Sequence, residues 1–368
     1  MTQDINVALY GAGGGGVLMQ RCLEGTGCRV AVFFDAEPSK QGKTLNGVPV
    51  DAPKNVHRHD YACIIVASTA IYEQDICNTL LALGVPREKI IPRTLLVNNV
   101  AHKIREYEKA APVRVCASGM SYHRQAIVPQ FSSYSIFNYA QTSQDLFYDC
   151  AIARALLEAK SARPQFWLVG LTYYSLHYDL SLSKPWPCVF YYKDLFGHHN
   201  LSEERKGHYL NRFSVEGLSG KLGEAALTNI VQAEYQSLVL DNDKTSASLK
   251  AGGASPKQAQ ADGNKWYPKT VAENKALLEE HVRLLARSGI TPVFAFVPFP
   301  AAYPIRRELA EECFEFIAHL EREYGCHTLN GYALEGFTDG DFYDASHLNI
   351  HGGRKYTGHV DAFLKRLA

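Results

Sequence analysis

Two short segments, more than two hundred residues apart, carry the side chains best suited to nucleophilic chemistry. The first is Ala117-Ser118-Gly119-Met120-Ser121-Tyr122, which follows an apolar run and leads into a helical pattern. A hydroxyl placed there stands at the carboxyl edge of a parallel sheet, and its own N–H lies close enough to help hold an oxyanion. The second is Phe342-Tyr343-Asp344-Ala345-Ser346-His347-Leu348-Asn349, followed by Gly352-Gly353 at the opening of a last helix. An acid three residues before a histidine can fold back in one turn and accept from Nδ1–H. Nε2 is then free to take a serine proton. Ser121, His347 and Asp344 are therefore a candidate nucleophile, general base and orienting acid. Taken singly, each has a plainer reading: Ser121 as a helix N-cap, Asp344 and His347 as loop residues satisfied by backbone. Together they point to acyl transfer.

A third segment works through backbone rather than side chains. Gly11-Ala12-Gly13-Gly14-Gly15-Gly16 satisfies G-x-G-x-x-G between a strand and a helix, and Asp35 follows Gly16 by nineteen residues. Glycines let backbone approach a pyrophosphate, and an acid at the end of the second strand accepts from a ribose hydroxyl. Gly11, Gly13, Gly14, Gly16 and Asp35 are thus the candidate site for a nucleotide, a nucleotide-sugar or NAD; simple packing is the competing reading. The amino-terminal portion is only about half of a two-lobed dinucleotide fold, and no Tyr-x-x-x-Lys pair follows it to move a hydride.

These segments need sheets to hold them. Val7–Tyr10, Arg29–Phe34 and Cys63–Ala67 read as strands, separated by helical patterns over Val17–Glu24 and Ile71–Leu83. The alternation predicts a small Rossmann-like parallel-sheet domain over 1–97, followed by a charged helical linker over 98–111 that ends at Pro112. From Val113 it restarts. Strands are expected at Val113–Ala117, Ser135–Tyr139, Gln165–Leu171, Thr291–Val297 and His327–Leu329. Helices are expected at Leu146–Ala159, Lys269–Ser288, Glu308–Tyr324 and Gly352–Leu367. The prediction is a three-layer α/β/α domain over 112–368. Residues 241–265 lack an apolar stripe and read as a mobile surface insertion.

Composition narrows the partners. The 368 residues include 38 basic and 38 acidic side chains, so no global field gathers nucleic acid or anionic membrane. No stretch is apolar enough to span a bilayer, and the first residues lack a secretory pattern, which favours a cytoplasmic location. The nine cysteines are scattered through apolar surroundings without zinc spacing, and they read mostly as small buried hydrophobes. His198-His199 and His177/Asp179 lack a third ligand at useful spacing, so no metal is expected. His123 and Arg124 either face the serine or belong to a solvated helix face. The aromatic stretch Tyr173, Tyr174, Tyr178, Trp186, Phe190, Tyr191 and Tyr192 either lines a carbohydrate cleft or packs a core.

A serine after the first strand and Asp-x-x-His before the last helix, in layered α/β sequence, resemble the SGNH/GDSL hydrolase superfamily over about 112–368. The likeness is greatest to the branch that modifies bacterial surface polymers, including D-alanyl-lipoteichoic acid and alginate acetylation proteins. It implies a flavodoxin-like fold and a Ser121–His347–Asp344 triad. Segment Asn138–Asp145 resembles the second block, where a glycine N–H usually joins the oxyanion hole; Ser143 stands in its place. Segment Gly170–Ser175 falls where a third block normally supplies an asparagine, which is absent, leaving Thr172 or Tyr173 to donate. The implied oxyanion hole is therefore Ser121, Ser143 and Thr172. Asp35–Gly42 with Gly47-Val48-Pro49-Val50 resembles the small Rossmann-like domain of bacterial sugar O-/N-acyltransferases, which also occurs attached to some methyltransferases. The expectation is a serine esterase or O-acyltransferase acting on a carbohydrate or glycan precursor, needing no cofactor for ester chemistry. The alternatives are a catalytically degenerate adaptor that binds a nucleotide-sugar or glycan, and an NAD-dependent oxidoreductase. The sequence leaves the oligomeric state open.

Overall fold

The computed structural model describes residues 5–214, 216–244 and 265–368. Residues 245–264 of the expected insertion lie outside the described residues. The chain divides into two compact units, one comprising Met1–His102 and Phe190–Tyr235, the other Lys103–Val189 and Gln236–Ala368. A helix does span Val100–Lys109 in the expected linker. The alternation assigns everything from 112 onward to the second domain, whereas 190–235 belongs to the first. The reason is long-range packing. Helix Glu224–Tyr235 buries Ala226, Leu227, Ile230 and Val231 where it meets helices Gly14–Leu23 and Arg93–Val97. Asn229 Nδ2 donates to the Cys22 carbonyl at 3.0 Å, and Arg93 pairs with Glu234 at 2.5 Å.

The first unit contains β1 (Ile5–Tyr10), β2 (Cys28–Phe34), β3 (Thr44–Leu45), β4 (Val48–Asp51), β5 (Cys63–Val66) and β6 (Ile90–Pro92). Their order is β3-β4-β2-β1-β5-β6, parallel except for the β3–β4 hairpin. Leaving out β3, the chain ranks run 3-2-1-4-5, the order of a Rossmann-like sheet. The winding reverses between β1 and β5. The central strands are continuous apolar runs because helices cover both faces: Val7, Ala8, Leu9 and Cys63–Val66 are all fully buried.

The second unit contains β7 (Val115–Ala117), β8 (Ile136–Asn138), β9 (Phe166–Leu171), β10 (Thr291–Phe296) and β11 (His327–Asn330). All pair in parallel, in the order β11-β10-β9-β7-β8. The ranks run 2-1-3-4-5, the flavodoxin-like order, and the reversal lies between β7 and β9. Helix Ile350–Leu367 packs on helix Ser121–Ala126, while helix Val271–Arg287 packs on helices Leu146–Ala159 and Arg307–Tyr324. The result is the three-layer α/β/α arrangement expected from the alternation. In an open parallel sheet, ligands collect outside the carboxyl ends of the strands at such a reversal. Gly11–Gly16 follows β1 and Ser121 follows β7, so both candidate segments occupy that position in their own unit.

Candidate functional site

The serine segment is built around a buried histidine. Gly119 turns the chain after β7 with φ +112°, a conformation that L side chains rarely adopt. His123, fully buried, fills the slot between Gly119 and Gly170, where a Cβ on either glycine would come within 2.4–2.6 Å of the imidazole ring. Its Nδ1 accepts from the Met120 N–H at 3.3 Å, and its Nε2–H donates to the Ala295 carbonyl of β10 at 3.0 Å. Burial pushes the His123 pKa down to about 4, so the ring stays neutral and keeps this tautomer. Arg124 is also buried. Neither residue belongs to the solvated face considered from sequence. His123 ties the serine loop to the sheet, and Ser121 opens helix Ser121–Ala126 at a fixed height.

The carboxyl-terminal segment closes on itself. Phe342 and Leu348 form an isolated antiparallel bridge, and the Tyr343 N–H donates to the His347 carbonyl at 3.0 Å. Asp344 Oδ1 accepts from the N–H groups of Ser346 and His347, both at 2.8 Å. Asn349 caps helix Ile350–Leu367, its Oδ1 accepting from His351 and Gly352 at 3.0 Å. This pins the loop to the helix start.

The two segments meet. Ser121 Oγ lies 2.8 Å from His347 Nε2, and His347 Nδ1 lies 3.0 and 3.1 Å from the two Asp344 oxygens. The ring of His347 lies between Tyr122 (centroids 4.7 Å apart) and Tyr343 (5.5 Å), with Gln125 Nε2 donating to the Tyr343 hydroxyl. Burial raises the cost of charge on Asp344. The His347 hydrogen bond and charge, with the two loop N–H groups, still hold its carboxyl below the usual value. Burial, then the nearby Asp344 charge, pushes the Tyr343 hydroxyl up to about 12. The arrangement can pass a proton from Ser121 to His347 and stabilise the resulting imidazolium. The sequence did not single out Tyr122 and Tyr343 for this contact; their placement directly beside Ser121 and Asp344 was the available signal.

The expected oxyanion donors fare unequally. Segment Asn138–Asp145 is bonded to the serine segment: the Gln141 N–H donates to the Gly119 carbonyl, and Asn138 Nδ2 donates to the carbonyls of His123 and Ile127. Ser143 has φ +58°, the left-handed region in which glycine is at ease. Thr172 departs from expectation. Its N–H donates to Ser175 Oγ at 2.8 Å and its hydroxyl lies 3.2 Å from the same oxygen. The neighbouring Tyr173 N–H donates to the Tyr332 hydroxyl at 3.0 Å. The N–H groups of both third-segment residues offered as substitutes for the missing asparagine are committed within the fold.

Beneath the site lies a buried network that carries no local signal in the sequence. Ser118 Oγ and Gln144 Nε2 donate to Asp149 at 2.8 and 3.0 Å, the Gly170 N–H donates to Ser118 Oγ, and Trp167 Nε1 donates to the Tyr139 hydroxyl. Burial pushes the Asp149 carboxyl up to about 7 against the hydrogen bonds that favour its charge. The aromatic stretch weighed as a cleft is largely core, since Tyr173, Tyr174, Tyr178, Phe190 and Tyr192 are buried. Of the histidines weighed for a metal, His177 Nε2 pairs with Glu312 at 2.6 Å and His198 Nε2 with Asn211 Oδ1 at 3.1 Å.

In the first unit, Gly11, Gly13, Gly15, Asp35, Lys40, Ser68, Thr69 and Arg93 line a cavity of about 350 Å³ at the β1/β5 reversal. The loop's glycines have different reasons. A Cβ on Gly15 would sit 2.4 Å from the Ala67 carbonyl oxygen, and one on Gly16 would sit 2.0 Å from that of Gly11, so both are needed for close packing. A Cβ on Gly13 or Gly14 would meet nothing within 4 Å. Asp35 accepts from the Ala12 N–H at 2.8 Å, the Glu37 N–H at 2.9 Å and Lys40 Nζ at 2.9 Å. Burial opposes its charge, but these bonds hold its carboxyl below the usual value. Lys40 and Arg93 also line the cavity but carry no such signal in the sequence, since neither belongs to the glycine fingerprint.

Fold and site define an α/β protein in which a Ser–His–Asp arrangement stands at the winding reversal of a five-stranded parallel sheet. A family model described as C2185-like, N-terminal matches residues 3–91, within the first unit. No curated protein matches the chain. Among the described residues no helix is long and apolar enough to cross a membrane.

Proposed function

We propose that the protein is an SGNH-type serine esterase or O-acyltransferase that acts on a carbohydrate or glycan precursor in the cytoplasm. The observation that carries the reading is the 2.8 Å contact from Ser121 Oγ to His347 Nε2, with Asp344 on the opposite ring nitrogen. Ser121 Oγ attacks the acyl carbon while its proton passes to His347, and the carbonyl electrons collect on oxygen. The amides of Ser121 and Ser143 hold that oxyanion. Collapse expels the alcohol, which takes the proton from His347 and leaves an acyl-serine. Water or a sugar hydroxyl then gives its proton to His347 and attacks. The acid or the new ester leaves, and the proton returns to Ser121.

The glycine loop supports a nucleotide-type ligand as a binding element rather than a reactant. The cradle at Gly13 and Gly14 leaves room for a phosphate. Asp35, with three of its roughly four acceptor positions used, keeps one for a ribose hydroxyl. A nicotinamide cofactor would supply hydride chemistry, but no residue for that chemistry was recognised in the sequence. One observation favours the adaptor reading. With Thr172 committed to Ser175, the oxyanion would have two donors, and one lost donor costs on the order of 100- to 1,000-fold in rate.

Hydrolysis of p-nitrophenyl acetate and a panel of acetylated sugars by wild type and Ser121→Ala tests the proposal. Turnover that disappears in the variant, with circular dichroism unchanged, is the expected result. Equal rates, or none from either protein on every ester, favour the adaptor.

A further inference from the structure

The acyl site draws on three separate segments, and one buried side chain is bonded into all of them. They are the serine turn after β7, the Asn138–Asp145 stretch that carries the Ser143 amide, and β9 at Gly170. Asp149, on helix Leu146–Ala159, is buried among them. Ser118 Oγ, three residues before the nucleophile, donates to Asp149 Oδ2 at 2.8 Å and accepts from the Gly170 N–H at 3.3 Å. Gln144 Nε2, next to Ser143, donates to Asp149 Oδ1 at 3.0 Å. Two further bonds fasten the same pieces. The Gln141 N–H donates to the Gly119 carbonyl, and the Tyr178 hydroxyl donates to the Ser143 carbonyl, both at 3.1 Å. Gly119, Met120, Gln144, Asp149, Gly170 and Ser175 are among the residues around a shared cavity of about 10 Å³, which has no room for a substrate. Asp149 therefore acts through its neighbours.

The groups around this carboxyl make its charge matter. Burial, with the Asp145 charge adding to it, opposes ionisation, while hydrogen bonds from Ser118, Tyr139 and Gln144 favour it. Asp145 itself accepts from the N–H groups of Tyr148 at 3.1 Å and Leu180 at 2.9 Å. Burial raises the Tyr139 and Tyr178 hydroxyls and the Cys150 thiol, so all three stay neutral. From helix Val271–Arg287, His281 packs edge-on to Trp167, and burial lowers it to about 3, so it too is neutral. Farther along the Asp149 helix, Arg154 is paired with Glu280 at 2.9 Å. As a neutral acid, Asp149 turns its proton to Ser118 Oγ along the existing contact and adds no charge behind the site. Ionised, it sets a negative charge, poorly screened by its buried surroundings, behind the segments that must hold an oxyanion.

We propose that Asp149 is the positioning residue of the oxyanion hole, one carboxyl that locks the serine turn, the Ser143 segment and β9 into a single wall. Its ionisation lowers turnover by repelling the oxyanion. The role rests on the esterase reading, but the lock can be measured without turnover. Steady-state hydrolysis of p-nitrophenyl acetate between about pH 5 and 9 reads the role. In the wild type, kcat should fall about tenfold as pH rises past about 7, with KM within about twofold, because the oxyanion exists only in the transition state. Asp149→Asn, a neutral isostere, should lower kcat about threefold at about pH 6 and remove the alkaline fall. Gln144→Leu should lower kcat about tenfold at unchanged KM. A wild type without the alkaline fall, a fall that survives in Asp149→Asn, or a change in KM in place of kcat would overturn the role. Hydrogen exchange followed by mass spectrometry reads the lock. Asp149→Ala and Gln144→Leu should each speed exchange over 117–122 and 139–146 together, by about tenfold. Ester turnover with exchange unmoved in either segment would refute the lock alone. Faster exchange in a protein that turns over no ester would sink the esterase reading, and the oxyanion role with it, and leave the lock.

Discussion

The two units place their candidate segments at the same point, after the first strand of a parallel sheet and at its winding reversal, yet fill it with different materials. In the first unit that point is backbone. Gly15 and Gly16 remove side chains so that helix Gly14–Leu23 can close on the loop and on Ala67, just past β5, and Asp35 binds the loop's own Ala12 N–H. In the second unit it is side chains: His123 fills the glycine slot and ties the loop to β10, and Ser121 meets a histidine supplied 226 residues later. Backbone groups suit the capture of a charged ligand, whereas proton transfer needs a titratable ring held by a partner. Two different strand orders thus carry a backbone cradle in one unit and a Ser–His–Asp cluster in the other.

This contrast can be broken most forcefully in the second unit. Asp344→Asn keeps the shape but removes the charge that orients His347 and stabilises its protonated form. Ester turnover is expected to fall on the order of 10³- to 10⁴-fold in steady-state kinetics. A loss below tenfold would remove Asp344 from the machinery. In the first unit the corresponding change acts on folding. Gly16→Ala forces a Cβ to 2.0 Å from the Gly11 carbonyl oxygen, at a cost of about 2–3 kcal/mol in urea denaturation. Gly13→Ala, with open space around it, should stay within about 0.5 kcal/mol of wild type while weakening nucleotide binding. Equal destabilisation by both would erase the distinction between packing and cradle glycines.

Protonation sharpens the comparison further. Because burial raises Asp149 from 3.8 to about 7, the folded protein keeps a proton that the unfolded chain releases. Its contribution to stability is full below pH 3.8, falls between 3.8 and about 7, and is flat above. Thermal melts should accordingly lose roughly 5 °C or more from this group across that window, and Asp149→Asn should flatten the slope. An unchanged slope would mean that another group titrates. The smallest effect belongs to Ser143. Ser143→Gly keeps the N–H and relieves the left-handed backbone, so the melting point should rise by the equivalent of about 0.5–1 kcal/mol with turnover within threefold.

Much of this was readable beforehand. The strand and helix alternation follows from local periodicity, and β9, β10 and helix Leu146–Ala159 lie within a residue or two of their expected limits. Ser121, Asp344 and His347 stood out because serine, acid and histidine at element ends have few structural reasons to coincide. The spacing of Asp344 and His347 also fixes their own contact within a single turn. What escaped the sequence was everything set by distant packing. Helix Glu224–Tyr235 gives no local sign that it returns to the first unit. His123 looks like a surface residue until Gly119 and Gly170 open a slot for it. Thr172 escaped for a local reason instead: Ser175, three residues on, turns back and takes its N–H.

The sequence by itself determined the elements and the chemical inventory, because period, turn residues and functional groups are local properties of the chain. Only the tertiary structure decided which groups meet. The 2.8 Å approach of Ser121 to His347 depends on two segments 226 residues apart being fixed by a buried histidine, a capped helix and a parallel sheet. Long-range register of that kind is set by burial and hydrogen-bond satisfaction across the whole unit, which no short stretch encodes.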